Sequence, residues 1–248
     1  MLWKITLVVL VYVTTAFCLN DAKAPISGGN YISIKKAPYM ASVRVNKTEH
    51  VCGGSIIHER FVLTSARCIV ENQKYQVAVG THNLHKGGWL YDVEEILMHP
   101  MYSNETFDND ICILKLKDSM SFGPTVDRIH LNDKSLKMKN GMTMKVTGWG
   151  CTAPQGNVTE RLHQVKVRMV LRRPCRHALG RNITLTRSMI CAGGNGRDAC
   201  KGDDGGPLIW KNVQVGIVSF LAGNRLPRVY TKISEMLPWI TDEVYENY

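Results

Sequence analysis

Three short stretches concentrate the residues that could do chemistry. Arg197 to Leu208 reads RDACKGDDGGPL and sets Asp203 and Asp204 in a glycine-rich turn; Thr64 to Cys68 reads TSARC; Asp108 to Leu114 reads DNDICIL. The candidates are Arg67, Asp110 and Asp204. A guanidinium is always protonated and accepts no proton. An ionised carboxylate is a weak nucleophile, and its charge competes for any N–H donors meant for a developing oxyanion. These three side chains can pair charges, but they cannot together deprotonate a hydroxyl and attack a carbonyl. The eight histidines, among them His58, His82, His85 and His99, form no HExxH pair and no paired-Cys motif accompanies them, so no metal and no cofactor is expected.

The elements that must position these residues are short strands. Alternating runs such as Tyr75 to Val79, Met142 to Thr147 and Gln214 to Val218, separated by Gly, Asn and Pro turns, read as antiparallel strands. Trp239 and Ile240, after Pro238, open the one clear helix. Residues 1–18 carry Lys4, an apolar run from Ile5 to Val13 and small residues toward Ala16, the pattern of a secretory signal. No other apolar stretch reaches the length that spans a bilayer. A secreted, extracellular chain with no membrane association is therefore expected. Cys18 leaves with that signal, so seven of the eight cysteines remain in the exported chain.

The three stretches strongly resemble the chymotrypsin/trypsin (S1) serine proteases. GDDGGP stands where that family has GDSGGP, TSARC where it has TAAHC, and the DNDI segment matches its aspartate motif. The resemblance covers 26–248 and implies an all-β fold, a trypsin-like double antiparallel β-barrel with a C-terminal helix. It puts Arg67 at the general base, Asp110 at the orienting carboxylate and Asp204 at the nucleophile, so the triad is degenerate and no functional catalytic residue is left. Two arrangements are open: Arg67 bridges Asp110 and Asp204, or the substitutions arose separately and do not touch. Ile26 to Gly29, ISGG, matches the family's mature start, whose ammonium pairs with the aspartate before the nucleophile, here Asp203; with Pro25 preceding it, cleavage at this bond is not of the tryptic kind. The implied organisation is a signal peptide over 1–18, a short propeptide over 19–25 and a protease-like domain over 26–248.

The resemblance also implies bridges Cys52–Cys68 and Cys175–Cys191. The usual partner of Cys200 is missing after Ser219, and Cys151 is the substitute expected from the placement of its loop; Cys112 is left as a buried thiol beside Asp110. Asp198 takes the position that gives trypsins their preference for Lys and Arg, either as a working pocket floor or as a relic with a local partner. The family's Ser-Trp-Gly wall reads Ser219, Phe220, Leu221, so Leu221 is expected to lie across the mouth of the former pocket.

The net charge is +10, and from Arg161 to Arg197 nine Lys and Arg occur without one Asp or Glu. Lys166, Arg168, Arg172, Arg173 and Arg176 form a candidate basic binding surface, for acidic proteins or anionic glycans, or merely a solvated face. Nucleic acid suits the charge but neither the exported context nor any motif. N-glycosylation sequons stand at Asn46, Asn104, Asn157 and Asn182. The whole pattern looks like the inactivated serine protease paralogues of the scabies mite, a resemblance that implies a pseudoenzyme binding host proteins, complement components among them. Alternatives are an arthropod immune or venom cofactor, a heparin-binding protein similar to azurocidin, and a residual serine-type hydrolase. The oligomeric state is not legible.

Overall fold

The computed structural model describes residues 29–151, 157–181, 183–194, 198–223 and 226–248. The leader and propeptide expected over 1–25, with Cys18, the expected start at Ile26, the sequon at Asn182 and Arg197 all lie outside the described residues.

Among the described residues, fourteen strands and two α-helices follow one another. They are β1 (Asn30–Tyr31), β2 (Met40–Val45), β3 (Glu49–His58), β4 (Phe61–Thr64), β5 (Tyr75–Val79), β6 (Trp89–Met98), β7 (Cys112–Leu116), β8 (His130–Leu131), β9 (Thr143–Gly148), β10 (His163–Val170), α1 (Arg172–Leu179), β11 (Met189–Ala192), β12 (Pro207–Trp210), β13 (Val213–Phe220), β14 (Arg228–Lys232) and α2 (Ile233–Glu246). The order β2-β3-β4-β7-β6-β5 closes a first six-stranded antiparallel barrel. A second closes through β9-β12-β13-β14-β11-β10, with β1 added on β10 and β8 on β13. Closure removes the exposed edges that short strands would otherwise offer to other chains.

Alternation explains how each barrel fills. In β10, Val165, Val167 and Met169 are buried while Lys166 and Arg168 between them are exposed, so the strand is apolar on one face only. The first interior gathers Val43, Ile56, Val77 and Leu114, the second Met144, Val167, Leu208 and Tyr230. A third cluster joins them: Leu63 and Ile113 of the first barrel pack with Ile217 of the second and with Ile233, Met236 and Ile240 of α2.

The helices depart from the sequence expectation in two ways. Helix α2 starts at Ile233, ahead of the expected opening at Trp239, and holds Pro238 inside. Proline withholds one N–H from the ladder, and burial of Ile233, Met236 and Ile240 against both barrels outweighs that loss. A second helix, α1, includes Pro174 near its start. The first turn of a helix leaves its N–H groups without intrahelical partners, so a proline there interrupts nothing.

All three expected bridges are present: Cys52–Cys68, Cys175–Cys191 and Cys151–Cys200. Cys112 is a buried free thiol, its acidity suppressed by burial and by the adjacent Asp110 carboxylate.

Candidate functional site

The cleft between the barrels collects the three stretches singled out above. Strand β4 ends at Thr64, and a single 3₁₀ turn, Ala66–Cys68, carries Arg67 into the cleft. Asp110 lies just before β7, fully buried. The turn between Cys200 and Pro207 brings Asp203 and Asp204, and it is tied to the first barrel where the Gly53 N–H donates to the Asp204 carbonyl at 2.8 Å. Gly205 permits that approach: its φ is +79°, and a Cβ would run into the Thr64 hydroxyl and the Gly53 carbonyl.

Asp110 is held by neighbours other than a guanidinium. Its Oδ1 accepts the Arg67 backbone N–H at 2.9 Å and its Oδ2 accepts the Ser219 hydroxyl at 2.5 Å. Burial raises its pKa, and the Ser219 hydroxyl, the Arg67 N–H and the Arg67 charge oppose the rise. The Arg67 side chain turns instead toward the second barrel, where Nη1 donates to the Ser219 carbonyl at 2.5 Å and the guanidinium lies 5.2 Å over the Phe107 ring. It reaches Asp204 only at 3.9 Å. The symmetric bridge between Asp110 and Asp204 is therefore not formed: the long arm of Arg67 passes the buried carboxylate, whose oxygens are already satisfied at shorter range.

The strong partner of Asp204 is Arg228, a residue that sequence reasoning missed. Its Nη1 donates to Asp204 Oδ1 at 2.9 Å and its Nε lies 4.0 Å from Asp198 Oδ1. Arg228 is 3% exposed, so a full positive charge is sealed between two carboxylates. Asp198 also accepts the Tyr230 hydroxyl at 2.9 Å, the Ala199 N–H at 2.8 Å and the Gly194 N–H at 3.3 Å. Burial raises the Asp198 carboxyl, and the Arg228 charge, the Tyr230 hydroxyl and the two N–H groups counter it. The expected pocket floor thus has an internal cation. Arg228 and Tyr230, two apart on β14, share the face that looks at Asp198. The available signal was an arginine opening an otherwise inward-facing strand sequence, together with two aspartates that would be costly to bury without a counter-charge. Leu221, expected to close the mouth, stands 45% exposed beyond the end of β13. It is Arg228, from inside, that lies against Asp198.

Asp203 is buried separately. Its carboxylate accepts the Gly150 and Cys200 N–H groups, each at 2.8 Å, and burial pushes it up to about 6. The partner expected for it, Ile26, lies outside the described residues. A second titratable group that the sequence did not flag is His50, which crosses from β3 to the same turn. Its Nε2 meets the Gly202 carbonyl at 2.8 Å and its Nδ1 meets the Ser42 hydroxyl at 2.8 Å. That pairing makes Nε2 the donor and Nδ1 the acceptor, a neutral ring, in keeping with burial lowering it to about 4. Both nitrogens are engaged, so His50 offers no free base.

The remaining sites fall on the surface. Asn46, Asn104 and Asn157 are exposed. Lys166 and Arg168 stand on the outer face of β10, and Arg172, Arg173 and Arg176 on α1. Among the described residues no cluster of His, Cys, Asp and Glu could hold a metal, and no helix is long and apolar enough to cross a membrane.

Comparison with known proteins agrees with this geometry. The family model described as Trypsin matches residues 26–240. The chain is 35% identical over 226 residues to the vitellin-degrading protease of Bombyx mori, covering 88% of this chain and 85% of that one. It is 34% identical to granzyme B(G,H) of Mus musculus, over 94% of this chain and 96% of the relative, and 31% identical to trypsin 5G1 of Aedes aegypti, over 88% and 84%.

Proposed function

The chain belongs to the trypsin family of serine proteases, and from that premise we propose that it is a catalytically inactive member, secreted to act as a binding protein. The observation that carries this reading is the ion cluster Asp198–Arg228–Asp204 with Arg67 at the base position. Catalysis by the triad needs a hydroxyl, a base that accepts its proton, and a pocket open to the substrate side chain. Position 204 supplies no hydroxyl, position 67 accepts no proton, and Arg228 takes the counter-charge that a substrate Lys or Arg would use. Each defect alone would slow the reaction, and together they leave no route for the proton.

The wider function rests on resemblance. Likeness to the inactivated scabies mite paralogues supports binding of host proteins and interference with a defence cascade, complement in the first place. Three disulfides in a small domain and the apolar leader pattern over 1–18 support secretion, with the short segment 19–25 removed or retained ahead of the domain. Three exposed sequons support a glycoprotein.

Peptide cleavage tests the reading directly. The chain beginning at Ile26 is expected to be silent on Arg and Lys peptides. The double variant Arg67→His, Asp204→Ser is expected to stay silent because Arg228 still neutralises Asp198, and adding Arg228→Gly is expected to restore cleavage. A parent chain that cleaves these peptides overturns the proposal. Complement lysis assays with the parent chain then test the cascade; loss of inhibition on adding heparin would favour the glycan-binding alternative.

A further inference from the structure

On the second barrel, the loop before β9, the end of β10, the start of α1, β11 and the junction of β14 with α2 line a groove of about 590 Å³. Its apolar lining is formed by Leu136, Met138, Met169, Met189 and Ile190. Its charged lining is Lys134, Arg172, Arg187 and Lys232, against one carboxylate, Glu235. Lys232 is paired with that carboxylate at 2.9 Å. Arg172 is fixed in place by donating to the Thr186 and Leu185 carbonyls. Lys134 and Arg187 have no carboxylate within ion-pair distance among the described residues. Three cations without an ion-pair partner among the described residues therefore face a methionine-rich floor, with Glu235, already engaged by Lys232 and in the field of Lys134 and Arg187, as the one carboxylate of the lining.

We propose that this groove is a docking site for an acidic amphipathic peptide segment of a partner protein, one that lays apolar side chains on the methionine floor and carboxylates on Lys134, Arg172 and Arg187. Charge complementarity selects an anionic occupant. The floor selects an apolar one, because methionine is polarizable and adapts to varied side chains. A sulfated glycan would satisfy the cations and leave the floor unused. The volume lies within the range of sites that seat a few side chains. A second depression that shares Arg172 is lined also by Arg173, Arg176 and Arg181, so a longer acidic segment meets further positive charge.

The inference rests on the reading of the chain as a binding protein, and its test is kept separate by a probe without Lys or Arg, which a trypsin-like site could not cut. The probe is a short fluorescein-labelled peptide alternating Glu and Leu, titrated with the intact chain and followed by anisotropy. Binding is expected to weaken with added salt. It is expected to fall about tenfold in the double variant Lys134→Glu, Arg187→Glu, to fall also with Met138→Ser, and to be unchanged by Lys74→Glu on the first barrel. A Gln and Leu peptide and a Glu and Ser peptide should each bind more weakly than the probe. Equal binding of the Glu and Ser peptide, or indifference to Met138→Ser with competition by a heparin oligosaccharide, would show simple polyanion attraction and overturn the proposal. Unchanged affinity in the Lys134, Arg187 double variant would overturn it as well. A parent chain that cleaves Arg and Lys peptides would overturn the binding-protein reading while leaving these affinities as measured.

Discussion

At the scale of single residues, the cleft between the barrels holds a set of fixed charges. Removing one partner from a buried ion pair is far more destabilising than never having built it, because a charge is then left in low dielectric. Arg228 stands between Asp198 and Asp204 under that constraint, so its position is held by stability as well as by geometry. Asp203 and His50 show the opposite kind of cost, two titratable groups buried without an ion pair among the described residues. The Asp203 carboxyl is raised from 3.8 to about 6, so its contribution to stability is full below the unfolded value and is lost as pH rises through 6. The His50 ring is lowered from 6.5 to about 4, so protonation favours the unfolded chain and stability is gained as pH rises from 4 toward 6.5. The two trends oppose each other across nearly the same window. Urea unfolding of His50→Gln from pH 4 to 6 should expose the Asp203 contribution, a fall of roughly 2 kcal/mol. Asp203→Asn should expose a rise of similar size. A flat profile in His50→Gln would mean that a cation such as the Ile26 ammonium keeps Asp203 ionised.

At the scale of elements, the loop that bears Asp203 and Asp204 is held by a different staple from the one the family uses. Cys151 leaves the end of β9 and reaches Cys200 across 49 residues, and the Cys151 N–H donates to the Lys201 carbonyl at 2.9 Å. The other two bridges each span 16 residues. Chain entropy gives the longer closure about 4 kcal/mol and each shorter one about 3 kcal/mol. The double variant Cys151→Ser, Cys200→Ser should therefore lose about 4 kcal/mol in urea unfolding, more than Cys175→Ser, Cys191→Ser. Equal losses would show that the bridge acts through local strain or contacts and not through loop closure. The pairing was legible because the sequence has no cysteine after Ser219 and offers Cys151 in a loop placed at the same rim. The start of α2 was not, because a proline read locally as a boundary is tolerated when tertiary burial outweighs one lost hydrogen bond.

At the scale of the whole molecule, the two barrels share an interior. Leu63 and Ile113 from one and Ile217 from the other pack on α2 through Ile233 and Met236. A single cooperative unfolding transition is expected, and Ile217→Ala, whose side chain is fully buried at that junction, should lower stability by about 2–5 kcal/mol in that same transition. Calorimetry showing two separate transitions would mean that the barrels are independent. The same packing sets the cleft geometry: Asp110 rides on the first barrel and Ser219 on the second, so the 2.5 Å bond between them crosses the junction.

Residue type alone determined that position 67 carries a guanidinium with no proton-accepting lone pair and position 204 a carboxylate with no hydroxyl. Alternation and turn residues determined the strands, and the motifs determined the family and with it the double barrel. Tertiary structure alone decided where the charges go. Arg228 meets Asp204 from 24 residues away, Ser219 takes Asp110 from 109 away, and the groove draws its cations from two loops, a strand and a helix. Such partners are chosen by closure of the barrels, because hydrogen bonds and buried ion pairs act over a few ångströms in space, whatever their separation along the chain.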